Sequence, residues 1–144
     1  MNILAVLLLA VCCSASLPIK DCGSKHGKVT SVEVKGCTEV PCVFKRGTTV
    51  DVKIKFTSFE DSKTAKTVLT GIIGGVPLPF PLAKSDACKY SGITCPLKKG
   101  QEYTYDLSMP IKESYPALTI TAKWELKDDN SEDLFCIENK VTIA

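Results

Sequence analysis

The chain has one histidine, one tryptophan and two methionines in 144 residues, and no apolar run longer than the nine residues from Ile3 to Val11. Each shortage closes a class of function. A hydrolase triad or a Cys-His pair would have to draw its base from His26, between Lys25 and Gly27, and no G-x-S-x-G turn or other nucleophile context accompanies it. His26 therefore reads as a solvated loop histidine. Nine apolar residues are too few to span a bilayer, so no transmembrane helix is expected. Charge of one sign is also scarce: 18 Lys+Arg against 16 Asp+Glu leave +2, too weak a field to make nucleic acid the main partner. There is no glycine-rich phosphate loop, since Gly74-Gly75 runs into Val76-Pro77, and the carboxylates lie too sparsely for a Ca²⁺ loop. No catalytic residue, metal or cofactor is expected, and a composition of 44% apolar and 24% charged residues excludes a disordered chain.

Cysteine, by contrast, is plentiful, at eight residues. Two of them, Cys12 and Cys13, close an uncharged leader whose apolar run and small residues Ser14, Ala15 and Ser16 read as a secretory signal peptide, with a buried N-terminal strand as the alternative. Cleavage after Ala15 or Ser16 leaves a single domain over residues 16–144 with six cysteines, an even number that implies three disulfides in an oxidising compartment. The spacings C-x4-C at Cys37 and Cys42 and C-x6-C at Cys88 and Cys95 do not resemble zinc knuckles.

Four segments alternate apolar and polar residues with the period of a strand that buries one face. They are Val50 to Phe56, Tyr103 to Met109, Leu118 to Leu126, and the chain end, where Ile137, Asn139, Val141 and Ile143 share a face that Asn139 makes less clean. Tyr103 and Tyr105 read as core. Weaker candidates, rich in Val, Thr and Ile, lie at Lys28 to Lys35, Cys42 to Lys45 and Thr64 to Ile73. About seven short strands, separated by turn signals such as Lys98-Lys99-Gly100 and the hairpin turn at Asp128-Asp129, predict an all-β fold, an antiparallel sandwich. The segment Val76 to Leu82, VPLPFPL, departs from the pattern: Pro77, Pro79 and Pro81 remove backbone donors, so it reads as an apolar loop that needs an apolar partner. The lysines Lys84, Lys98, Lys99 and Lys112 read as solvated surface, with steering towards anionic membranes or an acceptor protein as the alternative.

IKDCGS at Ile19 to Ser24, GVPLPFPL at Gly75 to Leu82, SGITCPL at Ser91 to Leu97, ESYPALTITAKWELKDD at Glu113 to Asp129 and the closing LFC at Leu134 to Cys136 together resemble the Niemann-Pick C type-2 family of the ML lipid-recognition superfamily. That resemblance implies an immunoglobulin-like sandwich with an internal apolar cavity, and disulfides Cys22 to Cys136, Cys37 to Cys42 and Cys88 to Cys95. It implies a lipid-binding site at Phe80, Ile111, Tyr115, Pro116 and Trp124, with Leu78, Ile73 and Phe56 as further wall residues. On the residues alone, Trp124 reads as plain core by default, Phe80 and Leu78 equally as a cap on the core, and Tyr115, forced extended by Pro116, as either a turn residue or a pocket lip.

The function implied is a secreted carrier, not an enzyme, that binds a cholesterol-like sterol as a monomer and hands it to a membrane or membrane protein. The compartment implied is extracellular, or the endosomal or lysosomal lumen. Ile137 stands where many sterol-binding members carry tryptophan, so fatty acids or small apolar signals are alternative cargoes, and lipid presentation in innate immunity an alternative role. No N-x-[ST] sequon follows the leader, which argues against glycan-dependent lysosomal sorting.

Overall fold

The structure, a computed structural model, describes residues 17–144. The signal-peptide expectation, with Cys12 and Cys13, falls outside the described residues. Each alternating segment forms a strand whose apolar face is buried. In β4 (Thr49–Ser58) the even-numbered residues from Val50 to Ser58 are buried and lysines such as Lys53 and Lys55 are exposed. The same rule shapes β7 (Glu102–Pro110), where Tyr103, Tyr105, Leu107 and Met109 point inward. With β2 (Gly27–Val34) these two make a three-stranded antiparallel sheet in the order β2-β4-β7.

The facing sheet is built on β8 (Leu118–Lys127) and β9 (Asp133–Ile143), in the order β1-β9-β8-β5-β6, with β5 at Lys66–Ile73, β6 at Val76–Phe80 and β1 at Lys20–Asp21. The short β3 (Cys42–Phe44) also lies against β9, in parallel, so the sandwich is not wholly antiparallel. β1 and β3 share the same edge of β9: β1 pairs with Ile137 and Glu138, β3 with Val141 to Ile143.

The proline segment is a correction. Val76–Phe80 is a strand, β6, at the edge of the larger sheet beside β5. Backbone donors along a strand point alternately to its two sides, so prolines at positions 77 and 79, two apart, remove donors from one side only. That side is the free edge, the place where a sheet tolerates proline. The described residues thus hold nine strands rather than about seven, plus a four-residue helix, Ala87–Tyr90, capped by the Asp86 side chain at the amide of Cys88. The Asp128-Asp129 turn forms as expected, with Asp128 Oδ1 accepting from the amides of Asn130 and Glu132.

Three disulfides form in the pairing implied by the resemblance: Cys22–Cys136, Cys37–Cys42 and Cys88–Cys95. The first joins residues 114 apart; on the chain-entropy model a closure of that length stabilises by about 4–5 kcal/mol. One end of the sandwich is filled by an aromatic knot, in which Phe135 meets Phe56 at 5.3 Å and Tyr105 at 5.5 Å, both edge-on. The space left for a ligand lies toward the other end.

Candidate ligand-binding cavity

Between the sheets lies a cavity of about 50 Å³. β8 contributes Ile120, Ala122 and Trp124 from its inward face, β9 contributes Val141 and Ile143, β5 contributes Leu69 and Gly71, β3 at the edge of the same sheet contributes Phe44, and Met109 and Ile111 come from β7 and its exit on the opposite side. Its mouth is an aromatic pair: Phe80 from β6 and Tyr115 from the β7–β8 connection meet edge to face with ring centroids 5.4 Å apart. Two hydrogen bonds from the Arg46-Gly47 turn hold that connection, from the Gly47 amide to the Ile111 carbonyl (2.6 Å) and from Arg46 Nη1 to the Tyr115 carbonyl (3.4 Å). Gly47 has φ 82°, a conformation that side-chain-bearing residues rarely adopt, so a substitution here would strain the turn that bonds the Ile111 carbonyl.

The floor is Trp124, whose Nε1 donates to the Tyr105 hydroxyl at 3.3 Å. That hydroxyl also shares a 2.6 Å hydrogen bond with Thr67 Oγ1, and burial pushes the Tyr105 pKa up. With the indole N–H occupied outside the cavity, Trp124 offers a ligand only apolar surface. Beyond it lies a second, smaller cavity of about 10 Å³, bounded by Val32, Val34, Val52, Ile137 and Asn139 and sharing Phe44, Ala122, Trp124 and Val141 with the first.

Of the eight residues the resemblance implies, the fold brings Phe80, Ile111, Tyr115 and Trp124 around the main cavity. The other four lie elsewhere. Phe56 is fully buried in the aromatic knot. Ile73 and Leu78 stand exposed on the β5–β6 hairpin, 39% and 48% accessible, and Pro116 is exposed beside Tyr115. The residues not singled out in advance, among them Phe44, Leu69, Met109 and Ile120, carry the ordinary inward half of a strand's alternation, which does not distinguish a cavity wall from filled core.

His26 is not freely solvated, as the sequence suggested. Its Nδ1 bonds Glu60 Oε1 at 2.7 Å and its Nε2 bonds Glu132, which also pairs with Lys25 at 3.1 Å. The Glu60 bond, then the Glu132 bond, raise the His26 pKa above 6.5 against partial desolvation. Both ring nitrogens are thereby committed to carboxylates, leaving neither to activate a nucleophile. The cluster of Glu125, Asp133 and Cys136 is likewise committed: Lys127 Nζ lies 2.8 Å from both carboxylates and the Cys136 sulfur is bonded to Cys22.

An apolar space between two sheets, bordered by aromatics, can take an apolar ligand. The ML domain family model matches residues 16–143. The NPC intracellular cholesterol transporter 2 of Danio rerio is 41% identical over 144 residues, covering 100% of this chain and 96% of the relative. The chain belongs to the Niemann-Pick C type-2 family of ML-domain proteins. A second family member, the NPC intracellular cholesterol transporter 2 homolog a of Drosophila melanogaster, is 43% identical over 127 residues, 87% of this chain and 86% of that one. Among solved structures, the Niemann-Pick type C2 protein of the Japanese carpenter ant superposes with a TM-score of 0.84 at 33% identity, covering 88% of this chain and 98% of that chain. Chicken MD-1 complexed with lipid IVa has the same fold at a TM-score of 0.59 and 18% identity, covering 85% of each chain.

Proposed function

We propose that this member of the family is an exported carrier that holds a cholesterol-like sterol between its sheets and delivers it to a membrane or a membrane protein. The observation that carries this reading is the apolar cavity behind Phe80 and Tyr115, in a chain whose histidine and buried carboxylates are all engaged in structural pairs. Export follows cleavage after Ala15 or Ser16, and the protein works as a monomer outside the cell or in an endosomal or lysosomal lumen.

At about 50 Å³ the cavity is well below the roughly 300–1,000 Å³ of an occupied small-molecule pocket. A ligand therefore loads by parting the sheets. The hydrogen bonds of Thr67 and Trp124 to Tyr105 tie the sheets together below the cavity, whereas the Phe80–Tyr115 end is held by apolar side chains and, among the described residues, by no disulfide, so this end is the one that opens. Burying about 400 Å² of sterol contributes roughly 10 kcal/mol at about 25 cal/mol per Å². Lost ligand freedom and the parting of packed side chains offset several of these, which leaves an affinity near micromolar or better, suited to a shuttle.

Native mass spectrometry of the secreted protein, followed by titration of Trp124 emission with cholesterol and a vesicle-to-vesicle transfer assay, tests the reading. A saturable emission change and accelerated sterol transfer are expected. No bound lipid and a flat titration would refute it, whereas a co-purified fatty acid with no response to cholesterol would replace the sterol by the alternative cargo.

A further inference from the structure

Asn139 is the inward residue that breaks the apolar face of β9, between Ile137 and Val141, and it borders the smaller cavity opposite the valines of β2 and β4. Its side chain makes no hydrogen bond to any other described residue. The valines beside it offer no hydrogen-bonding group, so the amide is free to bond a polar atom that a ligand brings alongside it. Asn139 is only half-buried and lies in the gap along β9 between the residues paired by β1 and those paired by β3, so its amide is open to solvent on that side.

Register connects this amide to the mouth. Leu78 pairs with Gly71, Gly71 with Ala122, and Ala122 with Asn139, one straight row across the larger sheet from β6 to β9. Its two middle members have the smallest side chains available and both line the main cavity, while Ala122 and Asn139 line the smaller one, so the row leads along the cavities from the Phe80 edge to Asn139. Three strand spacings of about 4.8 Å give it a length of about 14 Å, the scale of an elongated lipid.

Accepting that the protein is a lipid carrier, we propose that Asn139 is a specificity-determining contact that bonds a neutral oxygen, hydroxyl or carbonyl, at the leading end of the ligand. The site then reads a lipid that is polar at both ends, a sterol oxygenated on its side chain in preference to the parent sterol.

Trp124 borders both cavities and reports the test. The secreted protein and its Asn139→Leu variant are titrated with cholesterol, with cholesterol hydroxylated near the end of its side chain, and with palmitate and its terminally hydroxylated form. In the wild type the hydroxylated member of the sterol pair should bind roughly three- to tenfold tighter, the worth of one neutral hydrogen bond. The variant should lose this preference while binding cholesterol at least as well, which also reports that it folds. A similar preference within the fatty-acid pair supports recognition of the oxygen whatever carries it; preference in the sterol pair alone supports the sterol. Equal binding of both sterols by the wild type, or a preference that survives in Asn139→Leu, overturns the role of Asn139 and leaves the carrier reading standing. Failure of the wild type to bind any of the four removes both.

Discussion

Phe80, Tyr115 and Trp124 border one cavity, yet truncating them has different consequences. Phe80 and Tyr115 form the half-buried mouth, so Phe80→Ala and Tyr115→Ala should each weaken sterol binding by about 1–3 kcal/mol through lost apolar contact, with the circular-dichroism spectrum unchanged. Trp124 is buried and bonds the Tyr105 hydroxyl, so Trp124→Ala should cost about 3–5 kcal/mol of stability in urea unfolding as well as affinity. Unchanged affinity in both mouth variants would make the aromatic pair a cap on the core. Phe56 illustrates what a single strand leaves unspecified. It has the same signature as Trp124, an aromatic on an alternating inward face, but pairing opposite Tyr103 puts it at the packed end. Alternation tells which way a residue points; its height along the sandwich is decided by register with a strand far away in sequence. Asn139 was legible in the same limited way, as an interruption whose meaning appears only when Ala122 and Gly71 align with it.

Elements differ in how far their own residues explain them. β4 and β7 were legible from period two because each has one buried and one exposed face, and β8 because its apolar and polar residues alternate, although the strand is partly covered on both faces. β6 was not, because proline count argues against a strand until it is known which side faces the open edge. The period-two prolines also suggest a use, since a donor-free edge cannot template pairing with a second chain. The double variant Pro77→Ala and Pro79→Ala, which restores those donors, should keep its fold but sediment as larger species than the wild type at equal concentration; identical sedimentation would mean that the prolines serve only the shape of the hairpin. At the opposite margin, His26 ties together three loops through Glu60 and Glu132. A raised histidine pKa contributes stability that is complete below the unfolded value of 6.5 and is lost as pH rises through the folded one. The Glu132 pKa is lowered by Lys25 first and His26 second, so its contribution is present above 4.5 and fades on further acidification. The two overlap between 4.5 and 6.5. The stability lost in His26→Ala should accordingly be greatest in that interval and shrink as pH rises beyond it, as read from urea midpoints across pH, while sterol affinity stays nearly unchanged. A pH-independent loss would mean that the ring acts only through packing.

Across the whole molecule, the six cysteines and the strand count make the sandwich legible, but a cavity is a shortage of side-chain volume and no residue announces it. Gly71 and Ala122 produce it only by lying side by side beneath the mouth. A sandwich with so small an interior stores little empty space when unloaded, and each loading event must separate packed surfaces before the ligand repays the cost. Binding to the folded state alone stabilises it by about 2.7 kcal/mol when free ligand is a hundred times Kd, whatever the route of loading. For a domain of this size that corresponds to a rise in Tm of about 10 °C. Calorimetry with cholesterol in stable micellar supply should show this rise, growing with the logarithm of free sterol. Because the sheets part at the Phe80–Tyr115 end, the Phe80→Ala variant should load faster than the wild type while showing a smaller rise, its rim being easier to open and poorer at sealing. Slower loading in that variant would place the passage elsewhere, at the gap beside Asn139.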